Sequence, residues 1–231
     1  MLAGPRIPEL AQRDRFVRRA VKDQSVFTLA DEERACVPSQ QRPGRTVQLF
    51  WSSAKEARRW AEALTGDSKL QDLTLQVFAA EILPGLISGK GLVGTDWVSD
   101  PIEAEVEPAD LLLRLRAEAL PGFLNELRES AQVFLVASPS GSGPLVVPLA
   151  RRGVEYTGVH IYAQRSEAEW AMKKAGAKKV MADPLADFIS STLPWALGKG
   201  HVILAEPIRA AGPVELKPDE LAGRLARAAA A

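Results

Sequence analysis

Cysteine is nearly missing from this chain: Cys36 stands alone among 231 residues. An internal disulfide is thereby excluded, and so is a zinc site built on several thiolates. The lone thiol reads as a small buried or half-buried hydrophobe. Histidine is almost as scarce, with His160 and His201 the only two. No stretch reaches the roughly 18 apolar residues of a membrane span, and residues 1–9 turn polar before a signal-type apolar segment could form. An excess of one charge is lacking too, because 29 Lys and Arg face 29 Asp and Glu. Neither half, divided at Ala119, is strongly polarised, which removes the basic surplus that non-specific nucleic-acid or anionic-membrane binding needs. The default setting is reducing and cytoplasmic.

What is present is a repeat. Phe16 and Phe27 are spaced from Phe123 and Phe134 by one common offset. Trp51 with Glu56 and Ala57 then matches Tyr162 with Glu167 and Ala168, and Phe78 through Leu83-Pro84 matches Phe188 through Leu193-Pro194. Gly89-Lys90-Gly91 corresponds to Gly198-Lys199-Gly200, and Glu105 through Pro108 to Glu215 through Pro218. Five segments in one order, with small drifts confined to loops, divide the chain into residues 1–119 and 120–231. Each half, of about 110 residues, is an ordinary domain length.

Both halves give the same local reading. Phe16, Val17, Ala20 and Val21 carry helical spacing, and residues 25–29 are rich in strand formers. After a polar loop, residues 46–51 form a strand and Ser52 or Ser53 caps a helix carrying Ala57, Trp60 and Ala61. Short strands at 70–73 and 179–181 precede helices at 77–87 and 185–197. Residues 92–97 and 102–106 predict a hairpin, with a helix from Pro108; the second half offers 201–204, 214–216 and a helix from Pro218. The fold class is α+β, two tandem copies of a small, mostly antiparallel sheet packed with helices.

On Phe16, Val26, Phe27, Trp51, Ala57, Phe78, Leu83 and Pro108, residues 13–117 resemble the bacterial family catalogued as domain of unknown function 2750. Residues 123–228 look like a diverged member, with Tyr162 in place of the tryptophan. The Val133-Phe134 strand, Pro148-Leu149 and the closing Val-x-Leu-x-Pro-x-Glu-Leu stretch are also similar to the SseB N-terminal-like domain, a non-catalytic module. These resemblances imply a scaffold and a binding role rather than a chemistry.

No constellation points to catalysis, a metal or a cofactor. Gly85 to Gly91 lacks the spacing and hydroxyl of a phosphate loop and follows a helix instead of opening one, so it reads as a helix end. Glu103, Glu105 and Glu107 alternate, with Asp96, Asp100 and Asp110 near them, which reads as the solvated face of a strand. Arg13, Arg15, Arg18, Arg19 and Lys22, and separately Lys173, Lys174, Lys178 and Lys179, read as solvated helix faces. The two histidines read as structural. Trp51 belongs to the core, whereas Trp60 and Trp97 lack aromatic counterparts in the second half; with Arg18 and Arg19 they are the candidate partner-binding residues. The functional expectation is a non-enzymatic protein-binding module, an adaptor or immunity-type protein, with a protein partner, no nucleic acid and no membrane. The rivals are a small-ligand binder or enzyme using a cleft between the halves, and a structural subunit of a larger assembly.

Overall fold

The computed structural model describes residues 7–30, 35–65, 69–98, 105–141 and 143–227. The chain divides into two compact units, residues 1–118 and 119–231. The first runs α1 (Ile7–Asp23), β1 (Ser25–Leu29), β2 (Cys36–Pro38), β3 (Thr46–Phe50), α2 (Ala54–Thr65), β4 (Leu70–Thr74), α3 (75–88), β5 (Leu92–Thr95) and β6 (Glu105–Val106). Helix α4 (Pro108–Ser130) follows and contains the point of division, with Pro121 inside it. The second runs β7 (Gln132–Val136), β8 (Val146–Arg151), β9 (Val154–Ile161), α5 (Arg165–Lys174), β10 (Val180–Pro184), α6 (185–198), β11 (His201–Ala205), β12 (Val214–Leu216) and α7 (Pro218–Arg227).

The two units share their sheet order. In the first, β2-β3-β5-β6 form one sheet and β1-β4 another; in the second, β8-β9-β11-β12 and β7-β10 do the same. The central pairs β3·β5 and β9·β11 are parallel and the other pairs antiparallel. A parallel pair needs a crossover, and each unit supplies it with a helix, a strand of the smaller sheet and a second helix. Single bridges from Phe27 to Trp51 and from Phe134 to Tyr162 join the two sheets of each unit at the same place. Strand pairing fixes the equivalences: Leu49 pairs with Gly94, and His160 with Leu204.

Helices α3 and α6 each hold a wide turn, Phe78–Ile82 and Phe188–Thr192, between tighter segments. Prolines explain it. Pro84 and Pro194 stand at the first turn of the segments that follow, where a proline ring would strike the carbonyl four residues back in a regular helix. The wide turn moves that carbonyl, and the Leu83 and Leu193 amides donate to the Phe78 and Phe188 carbonyls instead.

One face of the first unit's larger sheet packs on α2 through Leu49, Trp51, Ala57, Ala61, Leu92 and Trp97, all buried. Gly94 makes this packing possible. A Cβ there would meet Leu49 Cδ2 at 2.7 Å and Trp97 Cε2 at 2.9 Å. In the second unit the small and large residues change strands: the equivalent of Gly94 is Leu204, and Gly158 on β9 gives it room, a Cβ on Gly158 meeting Leu204 Cδ1 at 2.8 Å. Gly94→Ala is therefore expected to destabilise the protein by about 2 kcal/mol through overpacking. Gly85→Ala, in helix α3 with open space at its Cβ, should be neutral or slightly stabilising. Urea unfolding of both variants checks the contrast.

Candidate functional site

Where they are described, the carboxylates of the alternating strand are engaged by protein donors. Glu103 and Asp100 lie outside the described residues, and Asp110 is exposed. Glu105 and Glu107 are half-buried rather than simply solvated. Glu105 accepts from Ser39 Oγ and the Gln40 amide, and Glu107 takes the guanidinium fork of Arg45 as well as Arg42. No group of three His, Cys, Asp or Glu able to hold a metal exists among the described residues. Lys90, at the foot of α3, has a left-handed backbone, φ 56°, and its carbonyl accepts from Arg45 Nε; it belongs to a helix end.

The basic first helix is also partly turned inward. Arg15 Nε lies 3.7 Å from Asp96 Oδ2, Arg19 Nη1 lies 3.5 Å from Glu56 Oε1, and Arg13 contacts Asp14. Arg18 is exposed. Of the two candidate tryptophans, Trp97 is only 5 % exposed, so it is a core residue and not a surface anchor. Its carbonyl accepts the Trp51 indole N–H at 2.8 Å. Trp60 is half-buried and bridges the other two, with ring centroids 5.9 Å from Trp51 and 6.4 Å from Trp97. The three indoles close this face.

What folds Trp97 back is Asp96. It is fully buried, with φ 52°, a left-handed conformation that non-glycine residues seldom adopt. Its carboxylate accepts the Ser52 amide at 2.7 Å and the Ser52 hydroxyl at 2.9 Å. Burial pushes its pKa up, and the Ser52 hydrogen bonds pull against that rise.

The second unit has Glu206 at the position of Asp96 and Pro207 at that of Trp97. A residue before proline is held toward extended backbone, and Glu206 is not among the positive-φ residues. Ser52 is matched by Ala163, which has no hydroxyl. Trp60 is matched by Ala171, since Ala57 and Ala168 are both fully buried at the same helical position. Leu49 becomes His160. The result is a cavity of about 300 Å³ lined by His160, Tyr162, Ala171, Glu206, Trp170 and Lys174, with Val136 and Val147 among its apolar walls.

The cavity carries both apolar and charged groups. His160 Nδ1 lies 3.1 Å from Glu206 Oε1, at an angle too poor for a hydrogen bond, and its ring stacks on Tyr162. Burial, with Glu206 and Glu167 nearby, drives the Tyr162 phenol well above its ordinary pKa. Trp170, one helical step from the core-facing position, holds Lys174 Nζ at 5.1 Å and the Arg209 guanidinium at 5.3 Å from its ring centroid, both within cation–π range. His201 is elsewhere. It pairs with Thr157 while His160 pairs with Leu204, an odd separation that puts the histidines on opposite sheet faces. Thr157 Oγ1 lies 2.6 Å from His201 Nδ1 and Trp195 packs against the ring.

Residues 13–115 match the family model described as "Protein of unknown function (DUF2750)", a match within the first unit. No curated protein matches the chain. Among solved structures, Anabaena Tic22, described as a protein-transport protein, is 10% identical with a TM-score of 0.27, covering 82% of this chain and 91% of that one. Tic22 from Plasmodium falciparum is 11% identical with a TM-score of 0.23, covering 84% and 93%. Superpositions this loose define neither a shared fold nor a shared activity. No helix among the described residues is long and apolar enough to cross a membrane.

Glu167, beside the cavity, titrates unusually. Burial, then repulsion from Glu126, raise its pKa from 4.5 to about 7, with Arg209 opposing and Glu206 adding to the rise. The folded state thus holds a proton that the unfolded state releases, so stability is fully present below about pH 4.5 and falls as pH climbs through about 7. Glu167→Gln removes that loss. After solvent screening its advantage is about 1 kcal/mol, visible at pH 8 and absent at pH 4, which thermal melts across that range will register.

Proposed function

We propose that the chain is a non-enzymatic binding protein made of two copies of one module, residues 1–119 and 120–231, the second a diverged relative of the family matched by the first. The first copy is the packed scaffold. The second carries the binding site, and its occupant is supplied by a partner protein or a small molecule. One observation carries this reading: where the first copy is closed by Trp60 and Trp97, the second leaves a cavity of about 300 Å³ walled by apolar groups and a few polar ones. That is the low end of the volumes that ligand sites occupy, and the mixture of walls is typical of them.

The shared sheet order and the matched Trp51 and Tyr162 bridges support the duplication. Among the described residues, the cavity lining has no serine, threonine or cysteine, and burial keeps the Tyr162 phenol protonated, which favours binding over group transfer. Non-enzymatic recognition of a partner through a side chain buried in a pocket fits such a site.

A fragment screen by ligand-observed NMR, with small aromatic and aliphatic probes, tests the reading. Saturable binding of at least one class is expected, and Ala171→Trp, which restores the first copy's indole, should reduce it at least tenfold. Fragments that bind the filled variant as well as the parent protein would remove the cavity as the site.

A further inference from the structure

Resting on that reading, we infer that the cavity takes an indole ring, with the ring N–H donating to the Glu206 carboxylate. The first unit supplies the argument. At the same place in the same fold, between the sheet face and the crossover helix, it packs the indoles of Trp60 and Trp97 against Trp51. The second unit keeps the walls in aromatic or apolar form, with Tyr162 for Trp51 and Val136 for Leu29, and it removes both fillers. A cavity of about 300 Å³, at the place where this fold elsewhere encloses indoles, has room for a flat bicyclic ring.

The polar end has its own explanation. Asp96 is satisfied from within the unit, because Ser52 donates twice to its carboxylate. Glu206 has Ala163 where that serine stood, and its side chain is only 11% exposed. Its polar neighbour on the cavity wall is His160, in poor hydrogen-bonding geometry. A buried carboxylate with acceptor capacity to spare attracts a donor, and an indole offers one N–H at the edge of an otherwise apolar ring. Trp170, also on the wall, carries Lys174 and Arg209 over its ring.

Such a ring has two sources, a tryptophan side chain of a partner polypeptide or a free indole compound. Fluorine NMR on the full chain separates them. Three probes are titrated: 5-fluoroindole, a blocked tripeptide with 5-fluorotryptophan at its centre, and 5-fluorobenzothiophene, the same bicycle without an N–H. Saturable binding of either indole probe is expected, with the benzothiophene about tenfold weaker or more because the carboxylate loses its donor. Tighter binding of the tripeptide assigns the occupant to a polypeptide, and tighter binding of 5-fluoroindole to a small molecule.

Ala171→Trp should abolish binding of both indole probes while keeping a cooperative melt. Should that variant fail to fold, the comparison of indole with benzothiophene on the parent protein still decides. Equal affinity for the two bicycles overturns the hydrogen bond to Glu206. Binding of aliphatic or single-ring fragments without any binding of the indole probes overturns this inference but leaves the cavity as a site. Failure of every fragment would overturn both.

Discussion

The backbone at Asp96 sets what the first unit can be. A left-handed conformation at a non-glycine residue is costly, and so is a buried carboxylate. Both are held here by two donations from Ser52, one from its amide and one from its hydroxyl. That contact ties the end of the central parallel strand to the start of the crossover helix α2. It also reverses the chain so that residue 97 points back over the sheet. Only then can an indole at 97 meet those at 51 and 60. In the second unit neither half of the contact survives: Ala163 offers no hydroxyl, and Pro207 holds Glu206 away from the helical regions. The chain after β11 runs along the cavity wall through Glu206, Ala210 and Gly212 without placing an indole over the sheet, and the space under α5 stays open.

Packing on the neighbouring strands follows this choice. Gly94 is required where Leu49 and Trp97 share its missing Cβ, while Leu204 is large in a unit that has Pro207 in place of that indole. Gly158 then yields to Leu204 on the adjoining strand. The exchange restores density beneath the cavity but does not fill it. At about 24 cal/mol per Å³, a sealed dry void of that size would cost on the order of 7 kcal/mol, comparable with the whole stability of a domain. The second unit avoids this cost by lining the space with His160, Glu206 and the Lys174 head, groups that water can satisfy. Polar walls of this kind admit water, and water that a ligand can displace is what a binding site offers.

Much of this architecture could be read from the chain. The helical spacing of Phe16, Val17 and Ala20 and the alternation around Thr46 to Trp51 located their elements, because buried faces impose periods that survive in any sequence. The short edge strands β2 and β8 were not legible: each carries a proline, and one is three residues long. The wide turns at Phe78 and Phe188 were visible only as a repeated Leu-Pro, since a proline's effect on the preceding carbonyl has no signature of its own. The candidate site was hidden for a different reason. Its wall comes from β7, β8, β9, α5 and the loop after β11, and no local motif joins them.

The tryptophans show where sequence comparison of the halves pointed in the wrong direction. Trp60 and Trp97 lack aromatic counterparts, and an aromatic that the fold does not require suggests a surface anchor. For Trp97, burial reverses the inference. On the proposed duplication, one position is filled by an indole in the first unit and by a small residue in the second, and the unit that lacks the indoles is the one with the cavity. The charges obey the same logic. Arg19 neutralises Glu56 in the first unit, whereas Glu126 takes the place of that arginine and opposes Glu167 in the second. The second unit thus holds both the cavity and a carboxylate pair whose repulsion Arg209 opposes. The repulsion is a cost that grows as pH rises, whereas the polar lining offsets the cost of the void, so the two departures from the first unit weigh on stability differently.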